Sequence, residues 1–395
     1  MMCMIQRTFY FEKLDGYKDK PFIKVLTGLR RVGKSTLIDL YIEHLKSQGI
    51  DPSHILKINF ELPHTFHITD YKALTDYVLD YFKDKDKNLY LFLDEIGRVK
   101  DWEKAVNAFH AMNRFDLYIT GSNADMFSSE LSTFLAGRYI ELLVHPFSYR
   151  EFLELYPKST FHDYLIFGGI PTIHSFNLNY EFSMNALRDS FRSAILQDVI
   201  SRHNIRNTSV LEKLIQYIFT NVGTTFSALS ISKYFKSQRI NVSVDTIISY
   251  LSMIQDAFLI YKVTRNDIIG KQILKTEEKY YIADHGIREA ISGNNIKHIE
   301  LILENIVFIE LLRRGFKVHV GKVDQNEIDF VAYKGKEIVY YQVCYLMDQV
   351  STREREFGVY KKIQDNFPKY VISMDQVDFS QNGIIHKHIE DFLVE

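Results

Sequence analysis

The octapeptide Gly28-Leu29-Arg30-Arg31-Val32-Gly33-Lys34-Ser35 satisfies the pattern G-x-x-x-x-G-K-[ST], and it lies between the apolar run Phe22-Ile23-Lys24-Val25-Leu26 and a helical pattern that starts at Ser35. Strand, glycine-bounded turn and helix in that order form the setting in which the pattern carries chemistry. Its glycines let the backbone close around a polyphosphate, so that successive N–H groups and the positive end of the helix face the anion. On this reading Gly28, Arg30, Arg31, Val32, Gly33, Lys34, Ser35 and Thr36 line a nucleotide. Lys34 reaches the β- and γ-phosphates, the Ser35 hydroxyl joins a Mg²⁺ coordination sphere, and Thr36 adds a contact from inside the helix.

The strand and helix patterns keep alternating through the first 150 residues. Further strands are expected at His54–Phe60, Leu89–Leu93, Leu117–Ile119 and Tyr139–Val144. Runs that are apolar on both faces suit a buried parallel sheet. The strand at Leu89 delivers Asp94-Glu95 to the sheet edge, where Asp94 is placed to hold the Mg²⁺ shell and Glu95 to polarise the attacking water. Thr120-Gly121-Ser122-Asn123 ends the next strand and sets small polar side chains beside the same edge, either positioning that water or capping a turn. Arg138 follows, as a group that stabilises charge on the transferring phosphoryl in its own subunit or a neighbour's, or as an ordinary surface arginine. The second acid argues for hydrolysis, since no pocket signature of a small-molecule kinase is present.

The stretches IKVLTGLRRVGKSTL, LFLDEIGRVKDWEKAV and YITGSNADMFSSELSTFLAGRYIELLVHPFSYREF resemble the prokaryotic AAA-type P-loop ATPases of unknown role that carry an uncharacterised C-terminal region. GGIP at 168–171 and LQDVISRHNIRN at 196–207 are similar to the following segment of that family. The resemblance implies a P-loop fold with an additional strand, ATP in preference to GTP, Gly28, Gly33, Lys34 and Ser35 in the nucleotide loop, and Asp94 and Glu95 as the acidic pair. It further implies Ser122 or Asn123 as γ-phosphate sensor and Arg138 as candidate finger.

Beyond Pro146 the pattern changes, and four domains are expected: 1–147 the ATPase domain, 148–207 a helical lid or linker, 208–291 a winged helix, and 292–395 a small nuclease-like α/β domain. In the winged-helix region the would-be recognition helix, Ser243 to Asp256, has no Lys or Arg and two aspartates, which is poor equipment for phosphate neutralisation and base readout. Its flanks, Lys233, Lys236, Arg239, Lys262 and Arg265, still offer phosphate contacts. In the tail, Glu304, Asp329, Gln342 and Cys344 have the order and spacing of a PD-(D/E)xK nuclease site, with Gln342 in an acidic position and Cys344 in the lysine position. A carboxamide is a poorer ligand for a hard cation, so the expectation is a degenerate site serving as a binding platform.

Composition adds exclusions. Forty-eight Lys and Arg against 50 Asp and Glu leave a net charge of −2, so the whole chain is no polycation. Two cysteines, Cys3 and Cys344, form neither a disulfide framework nor a four-thiolate zinc site. No signal-peptide pattern or membrane-length apolar run is visible, and a cytoplasmic protein is expected. The expected ligands are ATP and Mg²⁺. A protein partner is expected ahead of DNA, which charge does not indicate, and a homo-oligomer is compatible with a finger acting between subunits. The function expected is ATP hydrolysis coupling nucleotide state to the C-terminal region, with a slow ATP-gated DNA- or protein-binding switch and an ATP-licensed nuclease as alternatives.

Overall fold

The apolar runs of the first 150 residues pair side by side in the computed structural model, which describes residues 5–85, 88–122, 137–196, 199–200, 203, 205, 207–268, 272–324 and 326–395. Strands β1 (Ile23–Thr27), β2 (Ile55–Asn59), β3 (Leu89–Asp94), β4 (Phe115–Thr120) and β5 (Tyr139–Leu143) form a parallel sheet in the order β2-β3-β4-β1-β5. β4 is the additional strand between the loop-bearing β1 and the acid-bearing β3. Every residue of β1 and of β3 is buried, because helices cover both faces. Helices α1 (Thr8–Tyr17) and α2 (Lys34–Ser47) lie on one side, where Tyr41 of α2 meets Tyr118 of β4. On the other side α3 (Tyr71–Tyr81) and α4 (Trp102–Ala111) pack Leu74, Val78, Val106 and Phe109 against Val25, Leu91 and Ile119. Of the helices in this alternation only α2 has a start that the sequence marks, whereas the five strands fall within two residues of their expected positions at every end.

The chain divides into two compact units, one holding the residues through Val144 with the short stretch Asp256–Phe258, the other His145–Gln255 and Leu259–Glu395. In the second unit α5 (Tyr149–Leu155), α6 (Phe161–Phe167) and α7 (Tyr180–Ser190) precede α8 (Thr208–Thr220), β6 (Thr225–Phe226), α9 (Ala228–Ser237), α10 (Val244–Asp256), β7 (Ile260–Asp267) and β8 (Gln272–Ile282). Then come α11 (His285–Ser292), α12 (Ile299–Arg313), β9 (Lys317–Val323), β10 (Asn326–Lys334), β11 (Glu337–Val343), α13 (Val350–Gly358), β12 (Lys369–Ser373), β13 (Ile385–His388) and α14 (Ile389–Val394). The strands form one mixed sheet of eight, ordered β13-β12-β11-β10-β9-β7-β8-β6.

The first expected domain boundary, at 147, lies three residues from the observed division. Those expected at 207 and 291 fall inside the second unit. The physical reason is β7, which pairs antiparallel with β8 and parallel with β9, so the hairpin and the tail strands share one sheet. The GGIP turn is built into the same unit. Gly169 N–H donates to the Asp284 carboxylate at 2.7 Å, and that carboxylate also caps α11 through the Ile287 N–H at 3.0 Å. A side chain at Gly168 would strike Asp284, and one at Gly169 would strike the Phe147 carbonyl. Burial pushes the Asp284 carboxyl above the usual carboxylate range, against the opposing pull of His285 and of the backbone N–H groups it accepts from. Among the described residues no helix is long and apolar enough to cross a membrane.

Candidate functional site

β1 ends at Thr27, and the following loop bends back over its own helix N-terminus. Gly28 has φ 136°, Arg31 φ 70° and Gly33 φ 91°, and a Cβ on Gly28 would drive into the Val144 carbonyl. Only a glycine permits that approach. α2 then starts at Lys34, with the Leu37 N–H already bonded to the Gly33 carbonyl at 2.8 Å. The Lys34 ammonium is buried under the loop, donating to the carbonyls of Gly28 at 2.9 Å and Leu29 at 3.2 Å. Its Nζ stands 3.9 Å from Glu95 Oε1.

The acidic pair is set from the next strand but one. Asp94 is fully buried and takes hydrogen bonds from Ser35 Oγ at 3.0 Å and Thr120 Oγ1 at 2.6 Å on one oxygen, and from Asn59 Nδ2 at 3.1 Å on the other. Lys57 Nζ lies 3.6 Å from that second oxygen. Glu95 leaves the strand in a left-handed conformation, φ 55°, held by its N–H donating to Thr120 Oγ1 at 2.8 Å. Ser122 Oγ is 3.4 Å from Glu95 Oε2. Thus Lys34, Ser35, Asp94, Glu95, Thr120 and Ser122 meet at the C-terminal edge of the sheet, at the strands bordering its crossover. A serine hydroxyl beside a carboxylate is the hard-oxygen donor set that suits Mg²⁺, which commonly takes one or two protein oxygens together with substrate phosphates. Among the described residues no group of three or more His, Cys, Asp or Glu side chains is spaced to hold a metal ion on its own.

Arg30 points its guanidinium to Glu61, Thr36 and Arg31 are exposed, and Val32 is buried with its carbonyl accepting from Arg7. Asn123 lies outside the described residues. Of the roles left open for Arg138, the structure bears on the one within its own subunit. Its carbonyl accepts from the Ile23 N–H at the start of β1, opposite the end that carries the loop, and its guanidinium donates to Asn107 at 2.9 Å. The length of β1, roughly 3.3 Å per residue over Ile23–Thr27, separates it from Lys34. Arg138 is therefore no phosphate ligand in its own chain.

Several site residues were missed by sequence reasoning: Asn59 and Lys57 on β2, Glu61 after it, and Arg98. Asn59 pairs in register with Asp94, so its signal was a polar residue closing an apolar strand, which gains meaning only once β2 is known to adjoin β3.

A second polar constellation lies in the other unit. The register of β10 shifts between Ile328 and Val331, and this bulge holds Asp329 with Oδ2 accepting from the Val343 N–H at 2.8 Å. Glu304 of α12 accepts from Tyr281 at 2.5 Å and from Lys279 at 3.1 Å, and Lys279 also reaches Glu327 at 2.7 Å. Burial works against the Lys279 ammonium, but Glu304, Asp329 and Glu327 outweigh it and hold it above the usual lysine range. Burial, with Glu304 next, pushes Asp329 well above the carboxylate range. Gln342 donates to Glu356 at 2.9 Å, and Cys344 is buried, its thiol pushed upward by desolvation. Lys279 thus comes to the acids from β8, on the far side of the sheet order from Cys344.

The fold and the site together define an AAA-type P-loop ATPase. Residues 20–153 match a family described as an AAA domain and residues 158–298 a domain of unknown function. An uncharacterized protein of Haemophilus influenzae is 36% identical over 401 residues, covering 99% of each chain. One of Methanocaldococcus jannaschii is 27% identical over 392 residues, covering 93% of this chain and 85% of that one. A Walker-type ATPase of Pyrococcus abyssi superposes with a TM-score of 0.51 at 15% identity, covering 73% of this chain and 95% of that chain, a likeness of fold. The chain belongs to the prokaryotic AAA-type P-loop ATPases whose C-terminal region has no known function.

Proposed function

We propose that the chain binds ATP with Mg²⁺ and hydrolyses it, and that nucleotide state is coupled to a partner bound by the second unit. The observation that carries this reading is the meeting of Lys34, Ser35, Asp94 and Glu95 on one sheet edge, with Glu95 Oε1 at 3.9 Å from Lys34 Nζ. Lys34 exchanges the two loop carbonyls for the β- and γ-phosphates, against which its charge counts for more. Ser35 and Asp94 are the residues that would hold Mg²⁺, which when bound screens the triphosphate charge. Glu95 accepts the proton of the attacking water, and Thr120 fixes both acids in place through its single hydroxyl. For the second unit, a protein partner is favoured over DNA. Lys262 and Arg265, two of the flanking cations, are engaged by Glu278 and Glu327, and α10 brings no cation of its own.

The test is steady-state ATP turnover with Mg²⁺, with and without duplex and single-stranded DNA, beside Glu95→Gln. The variant should retain ATP binding and lose turnover by about 10²- to 10⁴-fold, the usual contribution of a general base. Turnover indifferent to DNA would direct the search to proteins, and full turnover in the variant would end the assignment of Glu95. Tight ATP retention with negligible wild-type turnover would favour the switch.

A further inference from the structure

One oxygen of Glu61 accepts from two arginines. Arg30 Nη2 and Arg98 Nη2 each stand 2.9 Å from Glu61 Oε1. Arg30 is the third residue of the phosphate loop, and Arg98 ends the 3-10 turn Ile96–Arg98 directly after Glu95. Glu61 itself is tied to the acidic strand, since its N–H donates to Asn59 Oδ1 at 2.8 Å while Asn59 Nδ2 holds Asp94. Two guanidiniums therefore converge on a single carboxylate oxygen beside the loop. The three side chains are 30%, 53% and 39% exposed for Arg30, Arg98 and Glu61, so water solvates every member and the pairs are readily exchanged. A polyphosphate offers the same guanidiniums more charge and a fork of oxygens.

We propose that Glu61 holds Arg30 and Arg98 in reserve, and that the outer phosphates of a bound nucleoside triphosphate take both arginines from it. Arg98 is then the phosphate ligand in the same chain that Arg138 cannot be, and Glu61 is a competing anion that sets the affinity. This rests on the nucleotide-binding reading above. A turn merely fastened by surface ion pairs makes the opposite forecast, because loss of Glu61 would then loosen the loop and weaken binding.

The experiment measures ATP and ADP affinity of the full chain by calorimetry, with Mg²⁺, for wild type, Glu61→Ala, Glu61→Gln, Arg98→Ala, the Glu61→Ala/Arg98→Ala pair and Lys34→Ala. Glu61→Ala should bind ATP about three- to tenfold more tightly with a smaller gain for ADP, and Glu61→Gln should show an intermediate gain. Arg98→Ala should bind ATP more weakly, and in the double variant most of the gain should vanish, which marks coupling of the two sites. Unchanged or weaker ATP binding in Glu61→Ala, or equal gains for ATP and ADP, would overturn the proposal. Wild type that binds no ATP, or Lys34→Ala that binds as well as wild type, would instead remove the nucleotide reading.

Discussion

Thr120 spends one hydroxyl on two acids. It donates to Asp94 and accepts from the Glu95 N–H, and so stabilises a left-handed backbone that costs a non-glycine residue about 1–2 kcal/mol. Thr120→Val keeps the shape but strips a hydrogen bond from the buried Asp94 carboxylate and another from the half-buried Glu95 N–H, so the chain should lose about 1–3 kcal/mol in thermal unfolding and most of its turnover, while Thr120→Ser retains both. His174 makes a different forecast. Its ring lies between those of Phe147 and Tyr156, its Nε2 has no hydrogen-bond partner among the described residues, and burial pulls it down to about 4 from 6.5. The unfolded chain then binds a proton that the folded chain refuses, so the stability from this residue is complete above pH 6.5 and declines as pH falls toward 4. Unfolding midpoints measured across that window should fall less steeply in His174→Phe. Asp329 has the reverse sign. Its pKa is raised by burial and by Glu304, so the folded chain holds the extra proton and its contribution to stability falls as pH rises above about 4. Asp329→Asn, which needs no proton, should raise the unfolding temperature at pH 8 by more than at pH 4.5.

At the level of elements, what could be read in the sequence was what is contiguous in it. The phosphate loop, the apolar strand ending in Asp94-Glu95, and the strands around them follow from local periodicity and were placed within a residue or two. Asn59, Glu61 and Lys279 were not, because each acts through a neighbour 25 to 37 residues away that the tertiary fold alone brings near. The role of Arg138 stayed open between its own subunit, a neighbour's and the plain surface for a related reason: a residue just before a parallel strand stands at the end of the sheet away from the loop, and that follows only from strand direction. The glycine pair was noticed by likeness, and the structure supplies its cause. Gly169→Ala would press a methyl into the Phe147 carbonyl and should cost about 1–3 kcal/mol, read as a lower denaturant midpoint with an unchanged slope.

Among the described residues a parallel sheet of five lies in one unit and a mixed sheet of eight in the other. A ligand confined to the phosphate loop stabilises only the unit that binds it, by mass action. Calorimetry with saturating Mg²⁺ and ATP should therefore raise one unfolding transition and leave a second in place, and a uniform rise of both would show the units to unfold as one. The pairing of β7 with β9 bears on how such a chain is made. The phosphate-loop unit is essentially all translated by Val144, whereas the eight-stranded sheet waits for β9 at residue 317 to reach β7, and the turn at Gly168 and Gly169 waits for Asp284. During synthesis at roughly 5–20 residues per second, the first unit has several seconds to fold while the helices from Tyr149 onward lack their partners. That interval leaves apolar faces of the second unit uncovered during synthesis, which makes it the more aggregation-exposed part of the chain.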